Sequence, residues 1–346
     1  MRGTASYYAL SAKVHAMYGN RMTPEDYQQL LSKSSIPEAA AFLQAHRGYR
    51  TNLAGLATSS IHREDLETAL RSVYVDEYRR IFSFMQMKDK ELMQFLLYRA
   101  EQAAILTAMR QLTSTNILEP AATWNPVLKR QSTLDLPALQ SASSFADIAH
   151  AAEHTIYGSA LQRILVGESK TPTQAFVDNM MQVVYYARLY KILGRNYTGQ
   201  TKKVIKQSLD DETDLLNLVQ FLRLKKYFPP EDIQRYSFPL PCSPKLRREY
   251  IQQLIAAHSY DDAFQLVLDG PYGSLFHSIS PSGVEAYFYT LQYHFARRQL
   301  RAATPTVYTP IAYLTLKEIE LRNIISIIEC IRYEADPRSF VTLIGI

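Results

Sequence analysis

The chain has 346 residues, of which 47% are hydrophobic and 12 are glycines, and its formal net charge is +5. This hydrophobic content is ample for packed cores and excludes a disordered chain, while the few glycines argue against turn-dense all-β folds and glycine-rich nucleotide-binding folds. The two cysteines make neither a disulfide framework nor a zinc site.

Patterns typical of helices follow one another along the chain, and no run of residues alternates between apolar and polar at the period of a strand. We therefore predict an all-α fold. Thr23 and Pro24 begin a short helix, because threonine caps and proline in the first turn loses no hydrogen bond. Longer helices are predicted over the ranges 7–17, 63–87, 92–112, 171–194, 210–226, 284–301 and 310–333. Proline-rich linkers are predicted at 113–126, 227–230 and 239–244.

One pattern occurs three times, at residues 26–53, 135–161 and 250–276. Each copy leads from a leucine to a tyrosine that lies 19 positions later in the first copy and 18 positions later in the other two. The pairs are Leu30 with Tyr49, Leu139 with Tyr157, and Leu254 with Tyr272. The glycines that flank the tyrosines are Gly48, Gly158 and Gly273. This self-similarity indicates an internal repeat.

A second pattern recurs further along, where an acidic residue precedes a small or amide residue by three positions and apolar residues follow. The pairs are Glu101 with Ala104, Asp214 with Asn217, and Glu320 with Asn323. The order and the distances of the two patterns agree between copies. We therefore predict three tandem, similar helical domains at residues 1–115, 116–230 and 231–346. We expect the two asparagines to form hydrogen bonds between helices.

The clearest catalytic motif is HxxEH, formed by His150, Glu153 and His154, which occurs in one family of zinc peptidases. Two histidines four positions apart on a helix can bind one metal ion. However, the other two copies lack these side chains, apart from His46 as a counterpart of His154, and no third ligand is evident. We therefore predict no metal, no cofactor and no catalytic residue, with a metal-dependent peptidase as the alternative function.

Tyr49, Tyr157 and Tyr272 are the most regular polar positions of the chain. Either they pack between helices with the hydroxyl bound to a backbone group, or they contact a partner at an interface. No phosphate-binding loop or nucleophile elbow is present. The short basic run at 202–206 lacks interleaved aromatic residues, so no nucleic-acid partner is predicted. Neither a secretory signal nor a membrane span is evident, and we expect a soluble protein.

Four stretches of the chain carry a resemblance to a known family. They are YYALSAKVHAM, residues 27–53 ending in GYRTNL, YIQQLIAAHSYDDAFQLVLDGPYG and LKEIELRNIISIIECIRY. Nearly the whole chain resembles the C subunits of bacterial and archaeal V-type (A-type) ATP synthases, and it is similar to the d subunits of eukaryotic V-ATPases. Ala104 departs from the family's pattern, which has an asparagine at that place.

The resemblance implies three helical domains in a funnel with pseudo-threefold symmetry. It implies a non-catalytic rotor subunit that couples the central stalk of the ATPase head to the proteolipid ring, for proton or sodium transport. The partners would be the central-stalk subunits and the membrane rotor ring, without nucleic acid or a small-molecule substrate. The chain would lie peripherally on the cytoplasmic side of the membrane. A helical scaffold for unrelated partners stays open as a further alternative.

Overall fold

The structure is a computed structural model that describes residues 2–113, 131–167, 172–228, 240, 245–277, 284–302 and 304–333. These residues form α-helices and one 3-10 turn, and none of them lies in a strand, so the all-α prediction is confirmed. The predicted linkers fall largely outside the described residues. The chain divides into two compact units, of which one comprises residues 1–86 and 289–346 and the other residues 87–288. The division into three domains stays a prediction.

The helices of the described residues are numbered in chain order. From the start of the chain to residue 86 they are α1 (Arg2–Tyr18), α2 (Pro24–Leu31), α3 (Ile36–Ala45), α4 (Arg50–Leu53), the 3-10 turn (Thr58–Ser60) and α5 (Arg63–Phe82). Then follow α6 (Met87–Leu92), α7 (Phe95–Thr113), α8 (Leu136–Gln140), α9 (Phe145–Ala151), α10 (Gly158–Gly167), α11 (Gln174–Asn196) and α12 (Gly199–Tyr227). The last are α13 (Arg248–Ala256), α14 (Tyr260–Leu268), α15 (Gly273–Phe276), α16 (Val284–Leu300) and α17 (Tyr308–Arg332).

The repeated pattern folds into three sets of short helices that we call modules. The first module is α2 to α4, the second is α8 to α10, and the third is α13 to α15. The middle helix of each module begins at a serine whose side chain accepts a hydrogen bond from a backbone N–H three residues later. These serines are Ser35, Ser144 and Ser259. Such caps satisfy N–H groups that have no partner within the helix. The same local chemistry therefore shapes all three copies.

In the first unit, α17 packs against α1, α3 and α5. Its apolar face is buried, because Ile324, Ile327 and Ile328 lie completely buried in one cluster with Leu30 and Leu53 of the first module. Burial of such side chains supplies most of the stabilisation of a helical core. The first module thus shares its core with α17, the last of the described helices.

In the second unit, α7 packs along α11, which also contacts α6 and α12. The second module contacts α7 through α8 and α9, and its helix α10 contacts α11. The third module contacts α12 through α14. Each of these two modules therefore lies on the long helix that precedes it in the chain.

Several predicted helix boundaries were wrong. The helix expected over 63–87 ends at Phe82, and the one expected over 92–112 begins at Phe95, after the separate short helix α6. Helix α11 begins after a cap at Thr173 and continues through Gly194, since a glycine inside a helix weakens it without ending it. Helix α12 begins at Gly199, eleven residues before the predicted start at position 210.

The glycine after the tyrosine is required by a close backbone contact in two modules. A Cβ atom on Gly158 would lie 2.1 Å from the carbonyl oxygen of Glu153, and one on Gly273 would lie 1.8 Å from that of Leu268. Real Cβ atoms do not approach an oxygen so closely, so a side chain at either position would displace the backbone. The tyrosine beside each glycine is held where this tight turn places it.

We expect Gly158→Ala to lower the free energy of unfolding by about 2 kcal/mol or more, because the added methyl group overpacks the turn. Gly194→Ala in the same unit is the matched control, because no atom lies within 4 Å of the added Cβ. That variant should stabilise α11 by up to about 1 kcal/mol. Chemical denaturation measures both values, and equal effects of the two substitutions would contradict the packing described here.

Candidate functional site

Three buried tyrosines fasten the modules to long helices, and we call each of these contacts a tyrosine junction. Tyr49, Tyr157 and Tyr272 lie directly before the last short helix of their modules, and their exposed fractions are 0%, 0% and 7%. A buried tyrosine hydroxyl needs a hydrogen-bond partner. The three junctions supply different partners.

The first junction is a charged network between Tyr49 and α17. The Tyr49 hydroxyl donates to Oε1 of Glu320, and the Lys317 ammonium donates to the same oxygen at 2.7 Å. Lys317 also donates to the Tyr49 hydroxyl at 3.1 Å, and the backbone N–H of Met22 donates to Oε2 of Glu320 at 3.1 Å. The same ammonium lies 3.8 Å from Glu77 of α5. One buried lysine is therefore shared by the buried Glu320 carboxylate and the largely buried Glu77 carboxylate.

The third junction is also charged. The Tyr272 hydroxyl donates to Oδ2 of Asp214 at 2.8 Å and lies 3.0 Å from Oδ1 of Asp211, both on α12. Lys245 donates to the Asp211 oxygen at 2.7 Å, and its ammonium lies 5.2 Å from the centre of the Tyr272 ring. A lysine thus accompanies the carboxylates here as it does in the first junction.

In the second junction, the tyrosine hydroxyl binds an uncharged acceptor. The Tyr157 hydroxyl donates to the backbone carbonyl of Tyr98 in α7 at 2.9 Å. Glu101, the acidic residue that the first copy contributes to α7, is 2% exposed and accepts a hydrogen bond from Ser132 at 2.6 Å. No ion pair to Glu101 occurs among the residues that the structure describes. Its carboxyl group is therefore buried there without a compensating cation.

These environments shift the pKa values of the groups involved. Burial, and next the Glu320 carboxylate, raise the pKa of Tyr49 well above its usual range. Burial and the hydrogen bond to Asp214 raise the pKa of Tyr272, and burial raises that of Tyr157. All three hydroxyls are therefore donors at neutral pH. Burial raises the pKa of Glu101 to about 7, and the hydrogen bond from Ser132 opposes that rise.

The structure brings together residues of the two sequence patterns, but of different copies. Tyr49 of the first copy meets Glu320 of the third, and Tyr272 of the third copy meets Asp214 of the second. Tyr157 meets α7, which carries Glu101 of the first copy. All three tyrosines are buried within the chain, and their role at a partner interface stays a prediction.

The two asparagines have different partners among the described residues. Asn323 of α17 lies 3.5 Å from the hydroxyl of Tyr27 in α2, which is a contact between helices. Asn217 instead pairs with the backbone of Leu240, donating to its carbonyl at 3.2 Å and accepting from its N–H at 2.8 Å. Leu240 lies outside every helix, so Asn217 fixes a connecting segment onto α12.

Sequence reasoning missed both lysines of the charged junctions. Lys317 precedes Glu320 by three positions and so shares its helix face, which is a signal that the sequence does contain. Lys245 lies between helices, and no spacing indicates its contact with Asp211. Lysines are seldom buried, and composition alone places them at the surface.

The HxxEH segment does not form the arrangement that a zinc peptidase requires. Helix α9 ends at Ala151, so His150 and His154 do not lie on successive turns of one helix. His150 lies 3.5 Å from Glu153, with side chains that are 80% and 52% exposed. Within the described residues, no group of three histidine, cysteine or acidic side chains could hold a metal ion.

Comparison with known proteins assigns the chain to a family. The family model described as ATP synthase (C/AC39) subunit matches residues 10–339. The chain belongs to this family. It is also similar to a protein of Methanosarcina mazei that is named as the C subunit of an A-type ATP synthase, with 23% identity over 225 residues. That alignment covers 65% of this chain and 60% of the relative's own length.

Membership in the ATP synthase (C/AC39) subunit family confirms the resemblance seen in the sequence. The family consists of ATP synthase subunits, which agrees with the prediction of an accessory subunit rather than a self-contained enzyme. Among the helices that the structure describes, none has the length and apolar content needed to cross a lipid bilayer.

The junctions differ in how much the tyrosine hydroxyl should contribute. We expect Tyr49→Phe to lower the free energy of unfolding by about 2 kcal/mol, because it removes a hydrogen bond to a buried carboxylate. Tyr157→Phe removes a bond to a neutral carbonyl and should cost about 1 kcal/mol. Tyr8→Phe, at a side chain that is 54% exposed, serves as the control. Urea denaturation gives the three values, and a larger loss for Tyr157→Phe than for Tyr49→Phe would contradict this account.

Glu101 should make stability depend on pH. Its pKa is about 7 in the folded chain against an ordinary value of 4.5, so the folded state binds the proton more tightly than the unfolded state. The contribution of Glu101 to the free energy of unfolding is fully present below pH 4.5, and it is lost as the pH rises through 7. The loss reaches up to about 3 kcal/mol.

We therefore expect Glu101→Gln to flatten the decline in unfolding free energy between about pH 5 and pH 8. Glu249→Gln on an exposed face of the same unit should leave that decline unchanged. Urea titrations at several pH values measure it. An unchanged pH profile in Glu101→Gln would show that this carboxyl is ionised in the folded chain.

Proposed function

We propose that this chain is a non-catalytic subunit of the central stalk of a V/A-type ATP synthase, in which it couples the stalk of the ATPase head to the membrane rotor ring. The observation that carries the proposal is the family match over residues 10–339. The Methanosarcina mazei relative, with its name as the C subunit of an A-type ATP synthase, supports the same assignment.

The tyrosine junctions support a mechanical role. A part that transmits torque must resist deformation where its helices join. In both charged junctions, a lysine, a buried tyrosine hydroxyl and at least one buried carboxylate form a hydrogen-bonded network, which rigidifies a fold when all its members are bonded. Removing one member would leave a buried charge without its partner, so the network opposes separation of module and helix. Such a body carries force without any chemical step.

The three modules also suggest how partners are held. Three similar domains around one axis would present equivalent faces to a ring of identical subunits, and a central opening would hold a single stalk. Differences between copies, such as Lys33 and Arg47 against Ala142 and Thr155, would let an asymmetric stalk select one orientation. The chain would then lie on the cytoplasmic side and reach the membrane through its partners.

The test is reconstitution of head, stalk and membrane sector in lipid vesicles with and without this chain. We expect omission to leave ATP hydrolysis by the head intact and to abolish ATP-driven ion uptake, because rotation no longer reaches the ring. Uptake is measured in parallel with a proton-sensitive dye and with radioactive sodium, so that either ion is detected.

Adding back the wild-type chain should restore uptake, and so should the surface variant Glu249→Gln. Undiminished ion uptake in vesicles that lack the chain would reject the coupling role. Loss of hydrolysis together with uptake would instead assign the chain to assembly of the head.

A further inference from the structure

The first unit contains a cavity of 420 Å³ next to the first junction. Its walls come from the end of α1, the segment that leads into α2, the second half of α16 and the first half of α17. Cavities of this size hold small ligands in other proteins. Nothing in the proposed coupling role uses such a cavity.

The lining carries more positive than negative charge. Arg21, Arg297 and Lys317 line the cavity, and Glu320 is its one acidic lining residue among those that the structure describes. Lys317 is already paired with Glu320 and Glu77 within the first junction. The charges of the two arginines are thus left without a carboxylate among the described residues that line the cavity.

The two arginines are held in place by aromatic rings. The Arg21 guanidinium lies 4.1 Å from the centre of the Tyr18 ring and donates to the Tyr18 carbonyl at 3.2 Å. The Arg297 guanidinium lies 5.9 Å from the centre of the Tyr293 ring. Stacking of this kind orients a guanidinium while leaving most of its N–H groups available.

Arg297 shows that an acceptor is missing. Its Nε atom is buried and has no hydrogen-bond partner among the described residues. Leaving a buried donor of a charged group unbonded is costly, and native structures rarely do so. A second cavity, of 660 Å³, lies at the end of α16 and shares Arg297 and His294, with Arg298 and Arg301 adding further positive charge. The surroundings of Arg297 therefore favour an anion.

We propose that this cavity of the first unit binds a small phosphate-bearing anion, with Arg297 as the main ligand and Arg21 at the other wall. Guanidinium groups match phosphate oxygens with two parallel hydrogen bonds, which a lysine cannot reproduce. The tyrosine rings and hydroxyls of the lining suit an anion that also carries a polar or planar group. The ligand is bound and is not turned over.

The experiment is isothermal titration calorimetry of the full chain in a phosphate-free buffer at low salt. The probes are sodium pyrophosphate, inorganic phosphate and ATP, with sodium sulfate at matched ionic strength as the reference anion. We expect saturable binding of at least one phosphate probe and weaker binding of sulfate. Tighter binding of ATP than of pyrophosphate would identify a nucleoside phosphate as the ligand, and the reverse order would identify a bare phosphate group.

Variants locate the site. Arg297→Gln and Arg21→Gln should each weaken binding by about tenfold or more, the usual effect of losing a charge-assisted hydrogen bond. Arg297→Lys should weaken binding less than Arg297→Gln but should not reach the wild-type affinity, since a lysine keeps the positive charge without the two parallel N–H donors of a guanidinium. Arg79→Gln on an exposed face of α5 is the matched control and should bind like the wild type.

Circular dichroism and the melting temperature without ligand check that each variant folds, and the exposed Arg21 keeps the test open if Arg297→Gln does not fold. The proposal is overturned if no phosphate probe binds saturably. It is equally overturned if Arg79→Gln weakens binding as much as Arg21→Gln. Neither result bears on ion uptake in the reconstituted complex, so the coupling role is judged separately.

Discussion

A buried tyrosine hydroxyl must find an acceptor, and this requirement determines where each module packs. An unbonded hydroxyl at such a buried position would cost about 1 to 3 kcal/mol. In every module the acceptor lies on a long helix, which is α17, α7 or α12. This hydrogen bond fixes the module against the helix, and the apolar side chains around the tyrosine ring can then pack between them.

The three junctions bind the tyrosine hydroxyl with acceptors of different charge. Where a lysine is within reach, as with Lys317 and Lys245, the hydroxyl donates to a carboxylate and the cation balances it. At Tyr157, where the described part of the chain supplies no such lysine, the hydroxyl turns to a backbone carbonyl. The nearby Glu101 carboxyl is buried, and this burial raises its pKa. The same module fold thus accommodates either a carboxylate paired with a lysine or a neutral backbone carbonyl as the acceptor of the tyrosine hydroxyl.

Much of this arrangement is visible in the sequence, because it depends on short spacings. The leucine-to-tyrosine distance, the capping position of Ser35 and the isoleucine face of α17 are local patterns, and the structure contains each of them. The sequence could not show that Tyr49 meets Glu320, since spacing identifies equivalent positions and not their partners. It also missed the contact of Lys245 and the end of α9 before His154, because neither follows from a helical period.

The partners of the junctions lie at very different distances along the chain. Tyr157 and Tyr272 bind residues 59 and 58 positions earlier, whereas Tyr49 binds a residue 271 positions later. On a ribosome, the second and third modules therefore emerge after their helices and can dock at once. The first module is synthesised early but waits for α17 with Leu30 and Leu53 uncovered, because long-range contacts form late. The beginning of the chain is thus the last part to mature, and damage near its end exposes apolar surface near its start.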